Sequence, residues 1–344
     1  MKKALNIIIC LTLLYFTFTL ITPYSSFLRT RSIENQITYI HKRLELGDDN
    51  VLQRRYPEGK IFSNAIFALS AIQYFDDSNK EKAAIIIDKC IKRLLSERSK
   101  RTFDDSLNPK FGAFYNGWIN IVLKTYKQSS IYPQSGIQDL VESNYHQLSN
   151  RIIDSVADSL TYMETYSGGI WPADNLVCIA SLSDELDSFK IEWVNTLLYK
   201  TETSSGLFYH VNSKKEEIRG SSQALSLYFL HQIHPTLAKR ENEVFKKLLI
   251  NKVMGIQFVH EHLQPSTKGM DIDSGPVLFT YGSVATIMNT KTQAAFRQDS
   301  KLTWGFLNML GLPISTFRYK YYLFKQELMF DIFMLWCSVE INDY

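Results

Sequence analysis

Three carboxylates stand out by the residues around them. Asp271 and Asp273 alternate in MDIDSGPVLF (Met270 to Phe279), just before Ser274, Gly275 and Pro276. Extended backbone sends both side chains to one face, and Gly-Pro then turns the chain sharply. Two carboxylates held close have separated pKa values, so one can act as an acid while the other stays charged. The third, Asp174, lies in SGGIWPADNLVCIASL (Ser167 to Leu182), where Trp171 and Pro172 open an apolar helix pattern. Pro172 suits the first helical turn, and an aromatic beside a carboxylate at a cleft mouth grips an apolar or sugar-like substrate. Each aspartate also has a structural reading. Asp174 is favoured by the dipole of the helix it starts, and Asp273 or Ser274 suits a cap. A cap does not need two aspartates.

Around these three stand weaker candidates. Arg219, in EIRGSS, suits a fork onto a substrate carboxylate or onto one of the aspartates, or an ion pair with Glu216 or Glu217. Tyr209 and His210, in GLFYHVNS, lie on a short arm that can fold over a mouth. Trp118 and Tyr115, in FYNGW, add aromatic wall, and Asn64, in IFSNAIF, a polar contact. Cys178 follows Asp174 by four residues, so both share a helix face; it reads as a core thiol or as an acid/base group. VHEHLQP supplies His260, Glu261 and His262, with His260 or Glu261 as proton-transfer partners or as part of a solvated loop. Its spacing is not HExxH, and no metal is expected. Phosphate-binding, Rossmann and nucleophile-elbow signatures are missing, so neither a nucleotide cofactor nor serine hydrolysis is expected.

The elements that must position these residues read almost entirely as helix. Apolar residues recur at three- and four-residue spacing over 33–46, 63–75, 80–98, 114–127, 137–162, 173–187, 190–200, 221–234, 236–254, 275–290, 293–310 and 320–340. A loop rich in Gly, Pro or Asp leads into a small-residue helix six times, from Gly59, Phe111, Gly168, Ile218, Met270 and Leu312. Charged, amphipathic helices such as Ser78 to Arg98 and His234 to Gly255 alternate with them. The period is roughly 50 residues, two helices and two loops. The pattern predicts an all-α domain over 31–344, an (α/α)6 toroid of six helical hairpins, with a plain helical array as the alternative. In a toroid all six loops line one mouth, where helix N-termini gather.

Ahead of that domain, residues 1–30 carry a hydrophobic anchor. Lys2 and Lys3 precede an uncharged run from Ala4 to Thr22, closed by Pro23. Its length suffices to span a bilayer, and no A-x-A-like cleavage site follows. The expectation is an uncleaved signal anchor, with the body outside the cytoplasm; Arg29 and Arg31 on the far side weaken the charge bias behind that orientation. The chain has 344 residues, a net charge of +3 and 13% aromatic residues. That charge makes no case for nucleic acid, while the aromatics suit a large core and a stacking cleft. The cysteines Cys90, Cys178 and Cys337 are far apart and fit no zinc spacing.

The six-hairpin rhythm, with GGIWPADN, IRGSS and MDIDSGP, resembles the (α/α)6-toroid enzymes over about residues 33–344. Those include six-hairpin glycoside hydrolases, some polysaccharide lyases and epimerases, and linalool dehydratase/isomerase-like proteins. The resemblance implies a deep aromatic cleft with carboxylate acid/base chemistry, and in the linalool-type branch it adds cysteines such as Cys178. The expected function is an enzyme acting on a carbohydrate or similar polyhydroxylated small-molecule or glycan substrate, with Asp271 and Asp273 opposite Asp174, and Trp171, Arg219 and Tyr209 positioning substrate. Alternatives are a lyase, dehydratase or isomerase on an apolar alcohol, and a non-catalytic scaffold that binds a glycan or protein. A cleft lined by Phe and Met with few hydrogen-bond donors favours the apolar alcohol.

Overall fold

The structure is a computed structural model and describes residues 2–75, 79–157, 160–201, 205–213, 217–263, 275–323 and 328–341. Among these residues it is dominated by fifteen α-helices. The first, α1 (Lys2–Ile21), is apolar along its length and stops at a 3₁₀ turn, Thr22–Tyr24, seeded by Pro23. Then come α2 (Ser26–Glu45), α3 (Asp48–Arg55), α4 (Gly59–Phe75), α5 (Lys80–Leu94), α6 (Glu97–Lys100), α7 (Gly112–Gln128) and α8 (Gln138–Val156). The second half holds α9 (Pro172–Ala180), α10 (Asp187–Thr201), α11 (Gly220–Ile233), α12 (Pro235–Leu249), α13 (Ser283–Ala295), α14 (Lys301–Leu310) and α15 (Leu328–Glu340).

Two kinds of helix alternate. Every residue of α9 is buried, as is every residue from Gly59 to Ile72 in α4 and from Val284 to Ala294 in α13. Helices α5 and α12 instead bury one stripe: Ala83, Ile87, Ile91 and Leu94 in the first, Leu237, Ala238, Phe245 and Leu249 in the second. Spacing of three and four residues puts such sets on one face, with lysines and glutamates on the other. The inner helices touch in sequence, α4 on α7, α7 on α9, α9 on α11, α11 on α13 and α13 on α15, and α15 packs back on α4. Helices α2, α5, α8, α10, α12 and α14 lie against this set from outside. Phe62, Trp118, Phe229, Phe333 and Trp336 meet edge to face where the inner helices converge, and they anchor the core.

Three small antiparallel hairpins replace parts of the expected helices. The first pairs β1 (Ile250–Val253) with β2 (Ile256–Val259), the second β3 (Val277–Leu278) with β4 (Tyr281–Gly282), the third β5 (Pro313–Ser315) with β6 (Lys320–Tyr322). So the helices read over 236–254, 275–290 and 320–340 are shorter: the first stops at Leu249, and the others start at Ser283 and Leu328. The cause is local. Met254 and Gly255 have φ of 50° and 87°, and Phe279 and Thr280 have 49° and 76°, the left-handed pairs that tight hairpins require. Over four apolar residues, helix and strand periods cannot be told apart.

Candidate active site

Six inner helices begin beside one cavity of about 140 Å³. Its lining takes Phe62 from α4, Phe114 from α7, Asp174 from α9, Ser221 and Ser222 from α11, Val284 and Met288 from α13, and Phe333 from α15. With the exception of Met288 and Phe333, these residues belong to the first turn of their helices, so the positive dipole ends of α4, α7, α9, α11 and α13 face the cavity. Tyr166 and Trp171 close one wall, and Glu58, directly ahead of α4, stands on its rim. The later turns of α4, α7, α11 and α15 line a second, opposite cavity of about 350 Å³, so these inner helices run the same way.

The loop before α9 is built to place an indole. Trp171 is the residue before the first turn (φ −108°, ψ 114°), and Pro172 follows as the first helical residue. Gly168 turns the chain at φ 74°, while the Trp171 ring lies over Gly169, where any side chain would collide with it. Asn175 locks the loop down: its Oδ1 accepts the Met163 N–H (2.8 Å) and its Nδ2 donates to Met163 O (3.0 Å). The Trp171 N–H donates to Thr165 Oγ1 (3.1 Å). Asp174, two residues into the helix, is 8% exposed and faces the cavity.

The GLFYHV arm folds against this loop. Asn212 N–H donates to Ile170 O (3.0 Å), and Ile170 N–H donates to Asn212 Oδ1 (3.0 Å). Gln223 brackets the backbone of Phe208 from α11. These bonds deliver His210 to the cavity wall. Its Nε2 receives the Trp171 indole N–H (3.3 Å) and Arg219 Nη1 (3.0 Å). Neither partner can accept, so Nε2 carries no proton and the ring proton resides on Nδ1, 2.7 Å from Ser222 Oγ. Ser222 therefore accepts from His210 and keeps its own O–H as a donor.

Behind His210 lies a buried ion pair. Arg219 Nε donates to Glu261 Oε1 (3.1 Å), which also accepts from Ser221 Oγ (2.8 Å). Glu261 is fully buried, with its backbone clasped between Gly220 N–H and Thr280 O. Gly220 and Gly282 make this clasp possible, because a side chain on either would strike the 260–261 segment. The acids weighed as partners of Arg219 were ones such as Glu216 or Glu217; Glu216 lies outside the described residues, and the structure adds Glu261 from across the fold. Arg219 sits behind His210 and does not line the cavity.

Of the other expected site residues, Asp271 and Asp273 lie outside the described residues. Tyr209 is buried without lining the cavity. Trp118 is fully buried beneath the cavity, packed on Phe62 and Trp336. Asn64 is fully buried and serves the fold, donating to Asp49 Oδ2 (3.2 Å) and Lys60 O (2.9 Å). Cys178 is fully buried, and its thiol donates to Ala113 O (3.0 Å). Burial, then the charge of Asp174, pushes that thiol well above its ordinary value. His260 stacks on Tyr281 and bonds Thr280 Oγ1 (2.8 Å) away from the cavity, with its pKa lowered by burial. Glu58, Tyr166, Ser221 and Ser222 were missed in the sequence, although both serines lie in the IRGSS motif. No protein-family model matches the chain, and no curated protein is similar to it.

Proposed function

We propose that this chain is a membrane-anchored enzyme that carries out acid/base elimination or isomerisation on a small, largely apolar alcohol. The observation behind this reading is the composition of the cavity. Phe62, Phe114, Tyr166, Trp171, Leu225, Val284, Met288 and Phe333 make most of its walls, and among the described residues Glu58, Asp174, His210, Ser221 and Ser222 add charged and polar side chains. Its volume approaches the roughly 150 Å³ at which an apolar protein cavity accepts benzene. In this scheme Ser222 O–H holds the substrate oxygen. Asp174 removes a proton from the adjoining carbon, the C–O bond breaks, and the Glu58 carboxyl protonates the departing hydroxyl as water. Arg219 and Glu261 position His210, and through it Ser222. A carbohydrate substrate is the second reading, favoured by two carboxylates and the Trp171 and Tyr166 rings on one cavity.

The architecture proposed is an (α/α)6 toroid, supported by the closed order of inner-helix contacts from α4 to α15 and back. The anchor proposed is α1, since residues Leu5–Tyr24 are long and apolar enough to cross a membrane, with the helical body on the extracytoplasmic side. A panel of short allylic alcohols and aryl glycosides, incubated with full-length protein and with Asp174→Asn, tests the chemistry. Alcohol turnover lost about 10²–10⁴-fold in the variant supports it. Turnover of glycosides alone transfers the site to sugar chemistry, and no turnover of either class leaves the scaffold reading standing.

A further inference from the structure

The contact between α1 and the body sets the depth of a third cavity. Tyr15 Oη donates to Pro313 O (2.9 Å), and Asn308 Nδ2 donates to Thr19 O (3.2 Å). A Cβ on Gly305 would stand 3.0 Å from Leu20 O, so α14 runs antiparallel against the last turns of α1. The apolar run starts at Ala4, after Lys2 and Lys3, and Tyr15 is the first of its residues to bond the body or line this cavity. At about 1.5 Å per residue the stretch from Ala4 to Leu14 is about 17 Å, well short of the ~30 Å hydrocarbon core. A bilayer crossed by α1 therefore reaches past Tyr15 to the level of the body. Leu310, Leu312 and the 80% exposed Phe317 lie on that side of the body.

At this level a cavity of about 300 Å³ opens between α1, α2, α14 and the β5–β6 hairpin. Two cations line it, and no carboxylate does among the described residues. Lys320 is 2% exposed, and its Nζ donates to two neutral oxygens, Ser32 Oγ (2.8 Å) and Asn308 Oδ1 (3.0 Å). Its acidic neighbour Asp331 is held beneath by the Tyr322 N–H (3.0 Å). Arg31 is exposed at the mouth, its guanidinium over the Phe317 ring. Phe18 and Leu28 give the same cavity an apolar side. A buried ammonium and an arginine fork with neutral partners are donors matched to a phosphate, and the apolar side is matched to acyl chain. Burial, opposed by the Asp331 charge, lowers Lys320 to about 7, a cost that an anion in the cavity would relieve further.

Resting on the membrane-anchored reading of α1, we propose that this cavity binds the phosphate of an anionic phospholipid headgroup through Lys320 and Arg31. Full-length protein in neutral detergent is titrated with phosphatidylglycerol and with phosphatidylcholine while native mass spectrometry counts bound lipid; inorganic phosphate is the soluble probe. One phosphatidylglycerol held about tenfold more tightly than phosphatidylcholine is expected. Arg31→Gln lowers that preference several-fold, and Lys320→Met removes it. Arg31 is exposed, so its variant keeps the fold even if replacement of the buried Lys320 does not. Equal retention of the two lipids by protein that still partitions into detergent overturns the headgroup site. Recovery of full-length protein in the aqueous phase overturns the anchor reading beneath it. A response to inorganic phosphate that matches the lipid response overturns lipid as the source of the phosphate.

Discussion

Arg219 Nη1 donates to His210 Nε2 across 3.0 Å, and that bond, beside the one from Ser221 Oγ, joins the buried Glu261 to the cavity wall. The arginine has two duties, neutralising a fully buried carboxylate and fixing the imidazole tautomer. Arg219→Met leaves Glu261 buried without its charge partner. The expected loss is about 3–5 kcal/mol of stability, read from urea unfolding. Adding Glu261→Leu recovers part of it, because the orphaned charge goes with its partner. A single variant as stable as the parent would show that the pair contributes nothing.

Where α7 crosses α9, Gly117 faces Cys178, and a Cβ there would lie 2.8 Å from Sγ. Gly117→Ala overpacks this crossing and is expected to cost about 1–3 kcal/mol, measured by thermal unfolding. The double variant with Cys178→Ala removes the Sγ contact and is expected to recover part of the loss, since the Cys178 backbone N stays 3.0 Å from the new Cβ. In the native protein Cys178 is expected to resist thiol reagents and to react once the chain is unfolded.

Lys291 is fully buried between Glu340 Oε2 (2.7 Å) and Trp336 O (3.1 Å), with the Tyr228 and Trp336 rings beside its Nζ. Burial lowers the lysine; it raises Glu340 too, but Lys291 together with the Gln73 and Tyr228 bonds more than offsets this and holds the carboxyl below its ordinary value. Lys291→Met is expected to destabilise by about 3 kcal/mol or more. Lys291→Met with Glu340→Leu should be closer to the parent, and the double-mutant cycle measures the coupling.

Burial, opposed by the Tyr322 N–H, Lys320 and Arg43, raises the Asp331 carboxyl from 3.8 to about 7. The unfolded chain loses this proton first, so the folded state is favoured at acid pH. Its contribution is full below about pH 4 and falls as pH rises through 7, by at most about 4 kcal/mol. Lys320, lowered to about 7, works in the opposite sense above neutrality. Asp331→Asn keeps an oxygen for Tyr322 N–H and should flatten the acid limb of melting temperature against pH. An unchanged limb would show that Asp331 does not titrate there.

The helical class and the loops that open the inner helices were legible because each is local. The helices read from 63, 114, 173 and 221 begin at Gly59, Gly112, Pro172 and Gly220 as α4, α7, α9 and α11. Asp174, Trp171 and His210 were legible as cavity residues for the same reason. Partnerships were not. Glu261 meets Arg219 from 42 residues away, and nothing in EIRGSS or VHEHLQP specifies that pairing. Trp118 and Asn64 carry side chains that a cleft would use, yet the helix turn they occupy points them into the core. The hairpins were hidden because Met254 and Phe279 sit in turn positions that Asn or Gly usually fill.

Helix α15 touches both α13 and α4, and Phe333 lies 5.5 Å from Phe62 across the contact. Its position makes α15 a keystone in time as well as in space. During synthesis α4 emerges early and must wait, its seam of Ile61, Phe62, Ala65 and Leu69 without cover on that side, until nearly the whole body has followed. Contacts so distant along the chain are slow to form and leave apolar surface open to wrong partners. The same helix that completes the core also lines the cavity through Phe333. A chain caught before that step has neither a sealed interior nor a complete cavity wall, so core and cavity are finished together.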